Sequence, residues 1–121
     1  MELKAVLLIA VAMLGMCYAL LGSLKLALAE RLQIPVVCSS SGMGAIDAAH
    51  PLALGLIARN GTYPANHAAR QADVLLALGV RFDDRTSSSW LPGYSFNIPP
   101  TKLIHVDIDP DEIARNYPVA L

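Results

Sequence analysis

Apolar residues along this chain fall into short unbroken runs separated by longer stretches of mixed polarity. Val74 to Leu78 is the clearest run, five apolar residues held between Asp73 and Gly79, which is the pattern of a strand covered on both faces, as in a parallel sheet. Three further strands are expected at about residues 6–10, 35–38 and 103–107. Between the first two, Leu21, Leu24, Leu28 and Leu32 recur at helical spacing with Ser23, Glu30, Arg31 and Gln33 on the opposite side, so an amphipathic helix is expected there. Pro64 to Gln71 reads as a short helix leading into the strand at 74–78, with proline in its first turn. Residues 45–64, punctuated by Pro51, Gly55, Gly61 and Pro64, read as loop, with a turn at Asn60-Gly61. Gly79 to Pro100 shows no regular element. Asp109-Pro110-Asp111-Glu112 then starts a helix, with a capping side chain, a proline at the first position and an acid at the third. The alternation predicts an α/β fold: a Rossmann-like parallel sheet of about four strands flanked by helices.

In open sheets of this kind ligands bind outside the carboxyl ends of the strands, and small and charged residues gather there in this sequence. Ser39-Ser40-Ser41-Gly42-Met43-Gly44 follows the second strand, and Gly79, Arg81, Asp83, Asp84 and Arg85 follow the third. Asp107 closes the last one, the position from which doubly wound folds grip a ribose hydroxyl. The serine and glycine run reads either as a wall of a nucleotide site or as a plain strand-to-helix turn, since Gly42-Met43-Gly44 is followed by Asp47 and lacks the third glycine of a dinucleotide fingerprint. It is not a Gly-x-Ser-x-Gly nucleophile elbow either. Asp107 and Asp109 read alternatively as caps of the helix that follows, which is the accepted reading for Asp109, and His67 and Arg70 either face a ligand or a neighbouring subunit or, more plainly, form the solvated side of their helix. Trp90, Tyr94 and Phe96 argue against disorder and require something to pack on, a cofactor ring or a partner domain.

Length and composition narrow the options. A chain of 121 residues is one domain by size, and a net charge of −1 gives no electrostatic reason to expect nucleic acid as a partner. Hydrophobic residues make up 55% and charged ones 16%, more apolar surface than so small a body hides, so part of it is expected to meet another domain or subunit. Cys17 and Cys38 form no disulfide framework or Cys-x-x-Cys pair, consistent with a reduced, cytoplasmic setting. Ala5 to Leu24 carries no charge, is flanked by Lys4 and Lys25 and is long enough to span a bilayer, and Ala27-Leu28-Ala29 resembles a signal-peptidase site. The run exceeds a signal core, however, and its pattern changes from strand-like at Val6 to Ala10 to helical beyond it. Strand followed by helix is the favoured reading, and a membrane-anchored module the disfavoured one.

Four segments together resemble a known family: Leu28-Ala29-Glu30-Arg31-Leu32-Gln33-Ile34-Pro35-Val36-Val37; Gly61-Thr62-Tyr63-Pro64-Ala65-Asn66; Ala72 to Arg85, which reads Ala-Asp-Val-Leu-Leu-Ala-Leu-Gly-Val-Arg-Phe-Asp-Asp-Arg; and Ile104-His105-Val106-Asp107-Ile108-Asp109-Pro110. They are similar to the central domain of thiamine-diphosphate-dependent enzymes, and most like that of the acetolactate synthase (acetohydroxyacid synthase) catalytic subunit. The resemblance covers about residues 25–121, with 1–24 the weakest match, and implies that residues 1–121 are a single nucleotide-binding domain, a fragment of a three-domain transferase of branched-chain amino acid biosynthesis. The resemblance further implies that thiamine diphosphate and magnesium are held by neighbouring domains, that the full-length protein is a homo-oligomer joining 2-oxo acids, and that the isolated chain, which has no Gly-Asp-Gly segment, is inactive and carries no catalytic or metal-binding residue. In that family the central domain binds FAD without net redox chemistry. Carried over, Ser39, Ser40, Gly42, Asn60 and Gly61 would lie along the cofactor, Gly79, Val80, Arg81, Asp83 and Arg85 would line it, and Asp107 and Ile108 would meet its adenosine part. The chain departs from the family's pattern at Ala10 to Gly15, at Ser39-Ser40-Ser41 and at Arg59-Asn60. Relatives that have lost flavin hold another nucleotide or nothing, which leaves a structural or interaction domain without cofactor as the alternative.

Overall fold

The computed structural model describes the backbone of residues 4–9 and 16–121, with side chains for 4–6 and 23–121. Its centre is a five-stranded sheet in the order β3-β2-β1-β4-β5, formed by β1 (Ala5–Ile9), β2 (Val36–Cys38), β3 (Ala53–Leu56), β4 (Val74–Leu78) and β5 (Lys102–Val106). Every pairing is parallel. Among the described residues three helices join them: α1 (Met16–Leu32), α2 (Tyr63–Gln71) and the single turn α3 (Asp84–Ser87). The α/β, Rossmann-like architecture expected from the sequence is therefore present, with the order reversing between β1 and β4 as in doubly wound sheets.

β4 lies between β1 and β5 and pairs with both along its whole length. Its side chains alternate between two covered faces. Leu75 and Ala77 join Val6, Val37 and Leu103 in a core closed by α2 (Ala65, Ala69), by the segment after β4 (Val80, Phe82, Phe96, Ile98) and by Tyr117. Leu76 and Leu78 pack on the other face with Val36, Cys38 and Ala29 of α1. The helix α2 starts where the sequence dictates: the Ala65 amide donates to the Thr62 hydroxyl at 3.2 Å, and proline occupies the first turn.

Four sequence expectations are corrected. The stretch read as loop at 45–64 contains β3, a short edge strand with an irregular register against β2. The segment from Gly79 to Pro100 holds the helical turn α3. The helix expected at Asp109 is one 3-10 turn, Pro110–Glu112, with the cap as anticipated: the Asp111 amide donates to the Asp109 carboxylate at 3.0 Å. The leucine stripe of α1 is not its buried face. Leu24 and Leu32 are 61% and 54% exposed, while the short side chain of Ala29 makes the fully buried contact. The Leu21 side chain and the Ala10 to Gly15 departure lie outside what is described. Among the described residues no helix is long and apolar enough to cross a membrane.

Because Leu75 is fully buried on an interior strand of the sheet, Leu75→Ala is expected to destabilise the fold by about 2–5 kcal/mol, read as a lower denaturant midpoint with an unchanged slope.

Candidate functional site at the carboxyl rim of the sheet

The register places the last residues of all five strands in one row: Ile9 pairs with Cys38 and Leu78, Cys38 with Leu56, and Leu78 with Val106. The loops that follow them share one rim. Ser39, Ser40 and Gly42 leave β2, Asn60 and Gly61 follow β3, Gly79 through Arg85 follow β4, and Asp107 and Ile108 follow β5. The residues singled out from the sequence are thus brought to a single edge, although they are spread over 70 positions from Ser39 to Ile108. A shallow cleft of about 330 Å³, lined by Lys4, Leu32, Gln33, Pro35 and Gln71 among others, lies at the opposite, amino-terminal rim and does not coincide with this edge.

The individual roles differ. Ser39 is buried, and among the described residues its hydroxyl has no hydrogen-bond partner. Ser40 is exposed beside it, and the Gly42 amide closes the turn by donating to the Ser39 carbonyl at 2.9 Å. Asn60 is exposed. Gly61 serves the fold itself, since a Cβ there would meet the Leu56 carbonyl oxygen at 2.4 Å. Arg59, just before them, ties this loop to the neighbouring one: its amide donates to the Ser88 hydroxyl at 3.1 Å.

The segment leaving β4 is held by its backbone. Gly79 has φ +67 and its amide donates to the Val106 carbonyl at 2.8 Å, a left-handed conformation in which glycine carries no Cβ penalty. Val80 is wholly buried, so only its main chain is available to a ligand. Arg81 and Arg85 are exposed, and the Arg81 guanidinium stands 3.8 Å from Glu112. Asp83 caps α3 by accepting from the Thr86 amide at 2.8 Å. Partial burial works against its ionisation, but the hydrogen bonds from the Thr86 side chain and amide, with Arg85 and Arg81 nearby, hold its carboxyl below the ordinary range. Asp107 accepts from the Asp109 amide at 2.9 Å, and Ile108 is fully exposed. Of the aromatic residues, Phe96 belongs to the core, whereas Trp90 and Tyr94 are 44% and 57% exposed.

Three further residues, none assigned to the site from sequence, shape the rim. Glu112 is buried; among the described residues one of its carboxylate oxygens has no partner, while the other accepts from Arg115 at 2.9 Å. His105 is buried and its Nε2 donates to the Val80 carbonyl at 2.8 Å, with the Asp107 carboxylate 3.8 Å away. Asn116 donates to the Phe82 carbonyl at 3.1 Å, an oxygen it shares with the Trp90 indole at 2.7 Å. One signal was available for His105: it alternates with Leu103 on the inward face of β5, where a polar residue must find a partner. Among the described residues no group of three metal-ligating side chains occurs.

Comparison with known proteins accounts for most of the chain. A family model described as thiamine pyrophosphate enzyme, central domain, matches residues 15–121. The chain is 48% identical over 86 residues to the acetolactate synthase isozyme 3 large subunit of Escherichia coli (strain K12), covering 71% of this chain and 14% of that one. It is 44% identical over 93 residues to the acetolactate synthase large subunit of Haemophilus influenzae, covering 77% and 16%. Against the probable acetolactate synthase large subunit of Methanococcus aeolicus it is 44% identical over 94 residues, covering 78% and 15%. The chain therefore spans between 14% and 16% of the length of these relatives.

Two outcomes test the rim's local construction. Gly61→Ala forces a Cβ against main-chain atoms and is expected to cost about 3 kcal/mol, measured by denaturant unfolding. Asp83→Ala removes a cap worth about 1 kcal/mol. Because the folded-state pKa of Asp83 lies below its unfolded value of about 3.9, the charge-dependent part of that contribution is fully present above pH ~4 and is lost as pH falls through the folded value. The stability gap between wild type and Asp83→Ala should therefore be widest near neutrality and narrow in acid.

Proposed function

The chain belongs to the central-domain family of thiamine pyrophosphate enzymes, and from that premise we propose that its own task is to bind FAD, or a related nucleotide, at the carboxyl rim and to assemble with the rest of an acetolactate synthase-like enzyme. The observation that carries this reading is the alignment of five strand ends, which gathers Ser39, Ser40, Gly79, Arg81, Asp83, Arg85, Asp107 and Ile108 at one edge. Their chemistry suits a dinucleotide. Arg81 and Arg85 offer charge-assisted donors to a pyrophosphate or a flavin carbonyl. The Ser39 hydroxyl, buried and without a partner among the described residues, supplies a polar contact, Asp107 an acceptor for a ribose hydroxyl, and Ile108 an exposed apolar surface for a base. Gly42 and Gly61 keep their turns tight, and Asn60 lies on the same rim. FAD in this place would act by occupying and ordering the edge, without net redox chemistry. This site accommodates the cofactor in its donor set; no proton or electron transfer is assigned to residues of the chain.

In the complete protein, we propose, thiamine diphosphate and magnesium sit on neighbouring domains, where 2-oxo acids are joined on the way to branched-chain amino acids, and the subunit forms homo-oligomers. The assembly role has its own support in the exposed leucines of α1 and in Trp90, Leu91 and Tyr94, apolar groups that a domain packed against neighbours covers.

Titration of the purified chain with FAD should saturate at one equivalent with recovery of flavin absorbance, and ADP should compete. Arg81→Ala, at a side chain that is 67% exposed, is expected to weaken binding about tenfold, the equivalent of one charge-assisted contact, with unfolding unchanged. A chain with no affinity for FAD or ADP would remove the binding half of the proposal. Pyruvate turnover by the unaided chain would overturn the assignment of catalysis to other domains.

A further inference from the structure

Between Gly79 and Asp83 the chain follows no regular path, and its shape is fixed by side chains arriving from elsewhere. The Val80 carbonyl accepts from His105 Nε2 of β5 at 2.8 Å. The Phe82 carbonyl accepts from the Trp90 indole at 2.7 Å and from the Asn116 amide at 3.1 Å. Phe82 itself has φ +53, a conformation that costs of order 1–3 kcal/mol and persists only where the surroundings over-determine it. Those surroundings are aromatic: the Phe82 ring meets Phe96, His105 and Tyr117 edge-on, with centroids 5.5, 5.3 and 5.2 Å apart. His105 acts twice, through its ring on Phe82 and through its nitrogen on Val80.

The consequence follows from peptide geometry. In a trans peptide the N–H points opposite to the C=O of the same plane, and the peptides after Val80 and Phe82 are trans. With both carbonyls turned toward His105, Trp90 and Asn116, the amides of Arg81 and Asp83 are turned away from them. We propose that His105 is a positioning residue, which together with Trp90 and Asn116 holds two carbonyls of the Gly79–Asp83 segment inward and so presents the Arg81 and Asp83 amides, beside the Arg81 guanidinium, to the phosphates of a nucleotide. This rests on the nucleotide-binding reading above and extends it from the residues that meet the ligand to those that shape the segment. Its expected ligand chemistry is a diphosphate group, so ADP is the simplest probe and adenosine the control without phosphates.

Two substitutions separate the effects of the histidine. His105→Phe keeps an aromatic ring against Phe82 and removes the donor, whereas His105→Gln restores a donor at similar reach and removes the ring. Asn116→Ala, at an exposed residue, loosens the second carbonyl with little risk to folding. Trp90 is the sole tryptophan and hydrogen-bonds within the segment, so its fluorescence and its quenching by acrylamide report the local conformation without any ligand. We expect His105→Phe to increase Trp90 quenching and to weaken ADP binding about tenfold while adenosine binding changes by less than about twofold, with His105→Gln recovering most of the loss. Asn116→Ala should move both readouts in the same direction by a smaller factor. Unaltered ADP affinity and Trp90 quenching in both His105→Phe and Asn116→Ala would overturn the positioning role alone, as would an equal loss for ADP and adenosine. A wild-type chain that binds neither ADP nor FAD would overturn the nucleotide reading and this extension together. If His105→Phe fails to fold, the decision passes to Asn116→Ala and His105→Gln on the same readouts.

Discussion

The structure depends on the in-register parallel pairing of β4 with β1 on one side and β5 on the other. A parallel strand cannot be joined to its neighbour by a tight turn, so each connection must cross over the sheet and cover a face. That is why Val74–Leu78 has to be apolar on both sides, and why α1, α2 and the segment after β4 lie where they do. A slip of one residue would exchange the two faces of β4, moving Leu75 and Ala77 out of the core with Phe96 and Leu103 and shifting Gly79 off the Val106 carbonyl to which its amide is bonded. The same pairing therefore determines the core and the composition of the rim.

Core and rim are not separate layers here. Val80 and Phe82 are among the most buried residues of the domain, whereas Arg81 between them is exposed. The segment alternates between inside and outside because its carbonyls are bonded by the buried His105 of β5 and by the more exposed Trp90 and Asn116. A left-handed phenylalanine in this position is sustained by three edge-on ring contacts, each of the kind worth about 0.5–1.5 kcal/mol beyond area burial. Those contacts are of the same order as the backbone strain, so the ring cluster is sufficient to offset it. A geometry maintained in this way is set before any ligand arrives.

How much of this could be read from sequence follows from which physical signals are local. The buried strands announced themselves because unbroken apolar runs have few other uses, and the charged residues after them followed from the general position of sites in such sheets. Strand β3 did not, since Ala53-Leu54-Gly55-Leu56 is short, half-buried throughout, carries a glycine at φ +97 and is surrounded by turn-forming residues. An edge strand with a shifted register lacks both the apolar run and the alternation that mark the others. The leucine spacing of α1 was real, but spacing says that a face is apolar, not what it packs against; the sheet took Ala29, whose small side chain permits close approach. His105 and Asn116 were illegible for a different reason: their partners are 25 and 34 positions away, at Val80 and Phe82, and only the tertiary fold brings them together, as it brings Glu112, already paired locally with Arg115, within 3.8 Å of Arg81.

The apolar excess of the composition also finds its place. Both faces of the sheet are already covered from within the chain, by α1 and the 45–52 stretch on one side and by α2 and residues 80–98 on the other. Leu24, Leu32, Trp90, Leu91 and Tyr94, all well exposed, lie outside both core clusters of the described residues. Burying a single leucine contributes about 1.5–3 kcal/mol, a free energy left unrealised while these side chains face water. They sit on α1 and on the loop that donates the Trp90 hydrogen bond to Phe82, so a neighbour packed on that loop would bear on the backbone of the rim as well. Assembly and ligand binding, the two halves of the proposed function, would then be coupled through the Phe82 carbonyl.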